Sequence, residues 1–486
     1  MLQMNEAALP ALEHEFEHTT HRLTSKGALR ATLVAIGVLS LTALLVLHSD
    51  LTLVSPRLWI AAAIMLVCGV PIVTFAARPE RWYPLEPLIA IGYIAGFGMP
   101  SFRADFPALH EQDPISEAEY AFACEMILLG CTALVLGMSV PIRQVFARYV
   151  WSWPSDDKVV APRFAIAAVI GGIFHILAST DVVPASIAAP AHLLASMSEV
   201  GTVVLFGMWQ RGKASPWWCI TAFISVLPGL FLGFGSGALW NAMVAPLTLL
   251  LGYYGVTRRL PFIPLLITAA AFLPANNAKN EFRGRLNESH VSFIDRPGLF
   301  VEVIWDAYTK DEITVESASD HLTARMDHVT EMAQVVSLTP DQVPYWGGET
   351  YKTLLYAPIP RFVMPDKPGK RLGQDFGHRY HFIGDENLDT SVNFSQLIET
   401  YANFGALGVG IGMFIIGIIY RFVSALFERK DPPVTAIAAG AITALIAFNI
   451  ESDFSLVNGG LLMTLPTLWA TLKLLCWSGR PAGAEH

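Results

Sequence analysis

The chain has 486 residues, 53% of them hydrophobic and only 15% charged. Soluble globular chains carry about 25% charged residues, so this composition excludes an ordinary soluble fold and points to a membrane protein. The net charge of −9, with no basic stripe and no interleaving of aromatic and basic residues, excludes nucleic acid as a partner.

The first 28 residues hold Glu6, Glu13, Glu15 and Glu17. They lack the basic start and immediate apolar core of a secretory signal, and they read as a cytoplasmic tail. His14, His18 and His21 in the same segment read as solvated side chains. A helix needs about 20 apolar residues to cross the hydrocarbon core. Runs that qualify, some only marginally, are 31–48, 58–76, 84–99, 121–140, 164–179, 194–209, 217–233, 239–256, 260–274, 398–420, 433–450 and 456–476. The expected fold is therefore an all-α integral membrane protein with about twelve transmembrane helices.

Arg and Lys placement orients it. One set of loops holds Arg22, Lys26 and Arg30, then Arg78 and Arg81, then Arg143, Arg148, Lys158 and Arg163, and continues so to Lys473 and Arg480. The short loops of the other set offer only Arg57 and Arg103. Both termini are then cytoplasmic. The expected layout is a tail at 1–28, helices one to nine in 29–274, a large periplasmic loop at 275–397, helices ten to twelve in 398–476 and a tail at 477–486.

The five cysteines, Cys68, Cys124, Cys131, Cys219 and Cys476, fall in or beside apolar runs and read as small buried hydrophobes. No phosphate-cradling G-x-x-x-x-G-K-[ST] loop occurs. The stretch Gly233-Phe234-Gly235-Ser236-Gly237 reads as close helix packing rather than as a phosphate cradle.

A polar segment as long as 275–397 is functional or a small domain. Within it, Leu322, Met326, Val329, Ala333 and Val336 repeat at helical spacing. They predict an amphipathic helix of about 20 residues, capped at Ser317 or Ser319 and stopped by Pro340. Arg325 then sits on the edge of its apolar face. Val301, Ile304 and Tyr308 predict one turn of another packed helix. From Arg361 to Arg371 four cations stand against one acid, a composition suited to phosphate. Asp385, Glu386 and Asp389 read as a hydrated turn rather than a metal site. At the re-entry into the membrane, Glu399 and Asn403 share a helix face, and a carboxylate there is costly unless hydrated or paired. Glu125 and Glu199, in or at the ends of earlier helices, raise the same question.

Three stretches resemble the Wzy-type polymerases, which join oligosaccharide repeat units of O-antigen and exopolysaccharide. They are His321-Leu322-Thr323-Ala324-Arg325 running to Thr339-Pro340, then Pro344-Tyr345-Trp346-Gly347-Gly348-Glu349-Thr350-Tyr351 continuing to Pro360-Arg361 and Pro365-Asp366-Lys367-Pro368, and last Glu399-Thr400-Tyr401-Ala402-Asn403-Phe404-Gly405 with Gly408. The chain departs from that family in having no arginine around Gly233 to Gly237. The resemblance implies a GT-C-like, metal-independent, inverting glycosyltransferase without a cofactor in a bacterial inner membrane. Its substrate would be undecaprenyl-diphosphate-linked oligosaccharide, and membrane lipids, a chain-length co-polymerase and a flippase would be its partners. The catalytic candidates are Arg325, Arg361, Glu399 and His378, with the cations serving the diphosphate leaving group and Glu399 or His378 the attacking hydroxyl. The substrate-binding candidates are Lys367, Arg283, Arg285, Tyr345, Tyr351, Tyr401 and Asn403. An O-antigen ligase and a twelve-helix polysaccharide or lipid-linked-sugar transporter are the alternatives.

Overall fold

The computed structural model describes residues 25–103, 115–142, 150–153, 157–178, 183–184, 188–236, 239–288, 291–292, 295–309, 327–357, 359, 363–364, 372–388 and 390–477. Among these residues the chain is helical, with no strand. The helices are α1 Ser25–His48, α2 Pro56–Ala76, α3 Leu85–Tyr93, α4 Glu117–Met138, α5 Asp157–Ala178, α6 Ala188–Ala195, α7 Met197–Gln210, α8 Pro216–Gly235 and α9 Leu239–Thr257. They continue with α10 Phe262–Glu288, α11 Arg296–Thr309, α12 His328–Leu338, α13 Lys352–Tyr356, α14 Leu372–Arg379, α15 Gln396–Ala425, α16 Val434–Phe448 and α17 Phe454–Cys476.

Ten stretches are long and apolar enough to cross a membrane. They are α1, α2, α3 prolonged to Phe102, α4, α5, the stretch Pro190–Gln210, α8, α9, α15 and α17. The start of α10 and all of α16 are shorter apolar helices. On α1, Leu29, Leu33 and Leu47 are exposed; apolar surface on that scale needs lipid or protein to cover it. The chain is a multi-pass membrane protein.

Local chemistry sets several of the ends. Ser116 and Glu119 form a reciprocal capping box at the start of α4, with Ser116 N–H donating to the Glu119 carboxylate at 2.7 Å. Asp453 caps α17 by accepting from Leu456 N–H at 2.8 Å. Where α4 crosses α15, Gly137 and Gly417 bring the two backbones together, and a Cβ on Gly137 would lie 2.2 Å from the Phe414 carbonyl. Small residues permit this approach in membrane helices. Cys68, Cys124, Cys131 and Cys476 are buried and Cys219 is half-buried.

Four expectations for the outer segment change. Helix α10 runs on to Glu288, so the polar segment opens as the continuation of a helix. In α11 the buried face is Phe300, Val303 and Ala307, while Val301 is exposed. Helix α12 has 11 residues rather than about 20, because Asp327 is its cap: its carboxylate accepts from Thr330 N–H at 3.0 Å and its own backbone is not helical. The proposed caps Ser317 and Ser319 lie outside the described residues, as does Arg325. Nor is α12 amphipathic, since Val329, Met332, Gln334 and Val336 are buried around its circumference.

The fourth change concerns α15, which is two helices. Gly405, at φ 63° and ψ −150°, breaks it. In a continuous helix Thr400 and Gly412 would stand about 18 Å apart along the axis. Instead a Cβ on Gly412 would lie 2.5 Å from the Thr400 side chain, and one on Gly408 would lie 2.3 Å from the Thr400 carbonyl. Residues 396–404 are therefore an arm folded back along the crossing run that starts at 406. The Gln396 amide reaches the Tyr420 hydroxyl at 2.8 Å, which fixes the arm as antiparallel.

The two arginines in the arginine-poor loops also find their reason. Arg57 is buried against the Tyr120 ring, 4.9 Å from its centroid, and donates to the Arg103 carbonyl. Arg103 in turn pairs with Asp327 at 3.4 Å. Both tie the outer segment to the bundle.

Candidate functional site

The arm 396–404 and the turn 344–351 form one unit. The break at Gly405 takes the next helical donors away from the carbonyls of Ala402 and Asn403. The turn replaces them: Trp346 N–H donates to Ala402 at 3.0 Å and Gly347 N–H to Asn403 at 3.2 Å. Gly347 and Gly348 have φ of 61° and 90°, a conformation glycine adopts without penalty, and this aims successive amides at the arm. Asn403, wholly buried, completes the join. Its Nδ2 donates to Thr350 Oγ1 and to the Glu399 carbonyl, both at 2.8 Å, and its Oδ1 accepts from Gly348 N–H at 2.8 Å. Asn403 therefore positions the turn; its polar atoms are engaged by the protein rather than offered to substrate.

Glu399 is likewise wholly buried. Its Oε2 accepts from Phe454 N–H at 2.6 Å and the Thr350 hydroxyl lies beside the carboxylate, while Oε1 is sealed from solvent with no hydrogen bond of ordinary geometry. Among the described residues no salt bridge reaches it. Such a carboxylate is costly, which marks it out from the other buried polar groups.

Aromatic residues cluster near the arm and the turn. Tyr351 stands edge-on to Phe454 at 5.4 Å and stacks with Phe404 at 6.4 Å. Burial and the Glu399 charge raise the Tyr351 phenol well above its ordinary value, so it stays protonated and able to donate. Tyr345 is exposed, its hydroxyl set over Gly405, and its ring meets Tyr401 at 6.5 Å. Tyr401 itself is buried. Tyr351 thus lies beside Glu399, while Tyr345 and Phe404 offer exposed ring surface around the break at Gly405.

Other candidates lie elsewhere. Arg285 is spent on acids of α10 and α11, at 2.5 Å from Glu281 and 3.4 Å from Asp306. Arg283, exposed, belongs to the same helix. These helices share a separate apolar cluster of Phe282, Phe300 and Val303. His378 is on α14, whose Phe376 stacks on Phe394 at 4.0 Å. Its Nδ1 has no hydrogen-bond partner, and no hydrogen bond joins it to Glu399. Arg361 and Lys367, with Arg325, fall outside the described residues. Asp385 and Glu386 are exposed in a turn, and Glu125 is exposed on α4. Glu199 is buried and paired with His175 at 3.1 Å.

Sequence reasoning passed over two residues. Arg379 stacks over Trp346, 4.2 Å from the ring centroid, and donates to the Pro344 carbonyl, which sets a guanidinium on the turn beside Tyr345. Its only signal was its place among twelve loop cations. His328 is buried against a π-helical turn at Ile94–Gly98, with Phe97 at 5.4 Å and the Glu331 carboxylate at 2.8 Å.

Fold and site together define a multi-pass helical membrane protein in which a folded polar segment caps a short helical arm carrying a buried, unpaired carboxylate. The chain belongs to the family described as a domain of unknown function, DUF8712, whose match spans residues 102–430. That range takes in the turn and the arm. No curated protein and no solved structure matches the chain.

Proposed function

We propose that this protein polymerises undecaprenyl-diphosphate-linked oligosaccharide repeat units at the outer face of a bacterial inner membrane, through a GT-C-like fold of twelve crossings. The observation that carries the reading is Glu399, a buried carboxylate beside Tyr351 with one oxygen unbonded, in the third of the stretches that resemble Wzy-type polymerases. In this reading the attacking sugar hydroxyl passes its proton to Glu399 as its oxygen bonds to the anomeric carbon. The bond from that carbon to the lipid diphosphate breaks, and the diphosphate leaves with the electron pair. Arg379 and the sequence candidates Arg325, Arg361 and Lys367 supply cations for that charge, and each contact would contribute about 2–4 kcal/mol in the transition state. Tyr345, Tyr351 and Phe404 offer stacking surface to sugar rings. In this reading the two shorter apolar helices, α16 and the start of α10, would cross as well and bring the ten long stretches to twelve.

Glycan analysis of a deletion strain tests this. Single repeat units on their acceptor are expected, whereas polymer stranded on the lipid carrier would mean a ligase. One observation favours a carrier instead, the intramembrane pair of His175 and Glu199 at 3.1 Å, because ionisable groups in membrane helices often mark transport paths. A carrier would leave lipid-linked units on the cytoplasmic side.

A further inference from the structure

At the end of the bundle opposite Glu399 lies a cavity of about 330 Å³. It is bounded by the last turns of α2 and α4, the loop after α2 and the last turn of α15. The cationic short loops gather at this end. Arg421 bridges Glu86 at 3.2 Å and Glu428 at 2.9 Å, and Arg81 meets Glu428 at 3.1 Å. Arg78 lines the same cavity, is exposed, and makes no ion pair among the described residues. Among the described residues Arg421 and Arg81 are thus engaged by Glu86 and Glu428, whereas Arg78 is not. Glu86 also lines the cavity and is buried, and its Oε2 has no hydrogen-bond partner. The other wall is apolar, with Phe75, Val135 and Val70, of which Val70 is 45% exposed on the outside of the bundle.

These features suit a zwitterionic occupant with an anionic group for Arg78, an N–H donor for Glu86 Oε2 a few ångströms away, and a hydrocarbon portion. Free phosphate lacks the last. We propose that the cavity binds a membrane phospholipid of the phosphatidylethanolamine type. Its phosphate lies against Arg78 and the unused donors of Arg81, its ammonium donates to Glu86 Oε2, and its acyl chains run out past Val70. Basic pockets between membrane helices suit lipid head groups for the same electrostatic reason. The site is separate from Glu399, so its failure would leave the polymerase reading untouched, and the reverse holds.

The test is native mass spectrometry and thermal shift of the full chain in detergent, with phosphatidylethanolamine, phosphatidylcholine and inorganic phosphate as probes. Phosphatidylethanolamine should bind at least about tenfold more tightly than phosphatidylcholine, whose quaternary ammonium has no N–H to donate. Arg78→Ala, a surface change that leaves the fold intact, and Val70→Trp, which fills the mouth, should each lower that binding by at least about tenfold. Unchanged retention in Arg78→Ala would overturn the site. Equal binding of the two lipids would overturn the role of Glu86, and stabilisation by inorganic phosphate to the same extent would replace the lipid with a soluble anion.

Discussion

The two ends of this bundle bury carboxylates in opposite ways. At the arginine-rich end, Glu86 and Glu428 share Arg421 and Arg81. At the other end, Glu399 has one backbone amide and an empty oxygen. A buried charge that is paired is locked into the fold, because removing either partner strands the other. A buried carboxylate held without a cation gives the fold little and is available for chemistry. The same residue type is therefore structural at one end and a candidate for function at the other.

The sharpest way to break that contrast is Glu399→Gln. The amide keeps the shape and the bond from Phe454, so the protein should still accumulate and keep its thermal midpoint. Polymer formation should fall by about 10²- to 10⁴-fold, the range for loss of a positioned base. Normal polymer from this variant in a deletion strain would remove Glu399 from the chemistry.

Arg421→Ala is the reciprocal experiment. It strands Glu86 and removes one of the cations on Glu428, and should cost about 3–5 kcal/mol of stability, seen as poor accumulation and a lowered midpoint in detergent. A variant as stable as the parent would show that the arginine-rich end is not a structural lock.

The smallest effect belongs to His328, which refines the comparison because this histidine is paired although it sits beside the outer segment. Burial disfavours its charge, but Glu331 at 2.8 Å, with Glu451 and Asp327, more than offsets that and raises its pKa above 6.5. A group whose pKa is raised on folding contributes stability that is complete below the unfolded value and is lost as pH climbs through the folded one. Thermal midpoints should therefore decline as pH rises above about 6.5, and Glu331→Gln should flatten that slope. Identical profiles for the two proteins would mean that His328 is neutral throughout.

Much of this architecture was legible because a hydrocarbon slab imposes a length on every crossing. The apolar runs at 31–48, 217–233, 239–256 and 456–476 fall within α1, α8, α9 and α17. The i, i+4 relation of Glu399 and Asn403 was also readable. The direction of Asn403 was not, since helical spacing says that two residues share a face and not what that face meets. The break at Gly405 was hidden for a similar reason. Residues 404–420 are apolar throughout, and a glycine in such a run is equally at home inside a crossing helix. Periodicity likewise carried α12 upstream to Leu322, because the apolar repeat does not stop at Asp327. Only the observed cap does.

Composition and the apolar runs determined by themselves that this chain lives in a membrane and roughly where it crosses. Burial in lipid and the cost of moving charge act on each short stretch independently of the others. Tertiary structure alone decided that Arg421 would meet Glu86 across 335 residues, that the turn at 344–351 would take up the carbonyls freed at Gly405, and that Glu399 would be left unpaired. Each of those depends on which distant group arrives to satisfy a buried polar atom, and no local pattern encodes that arrival.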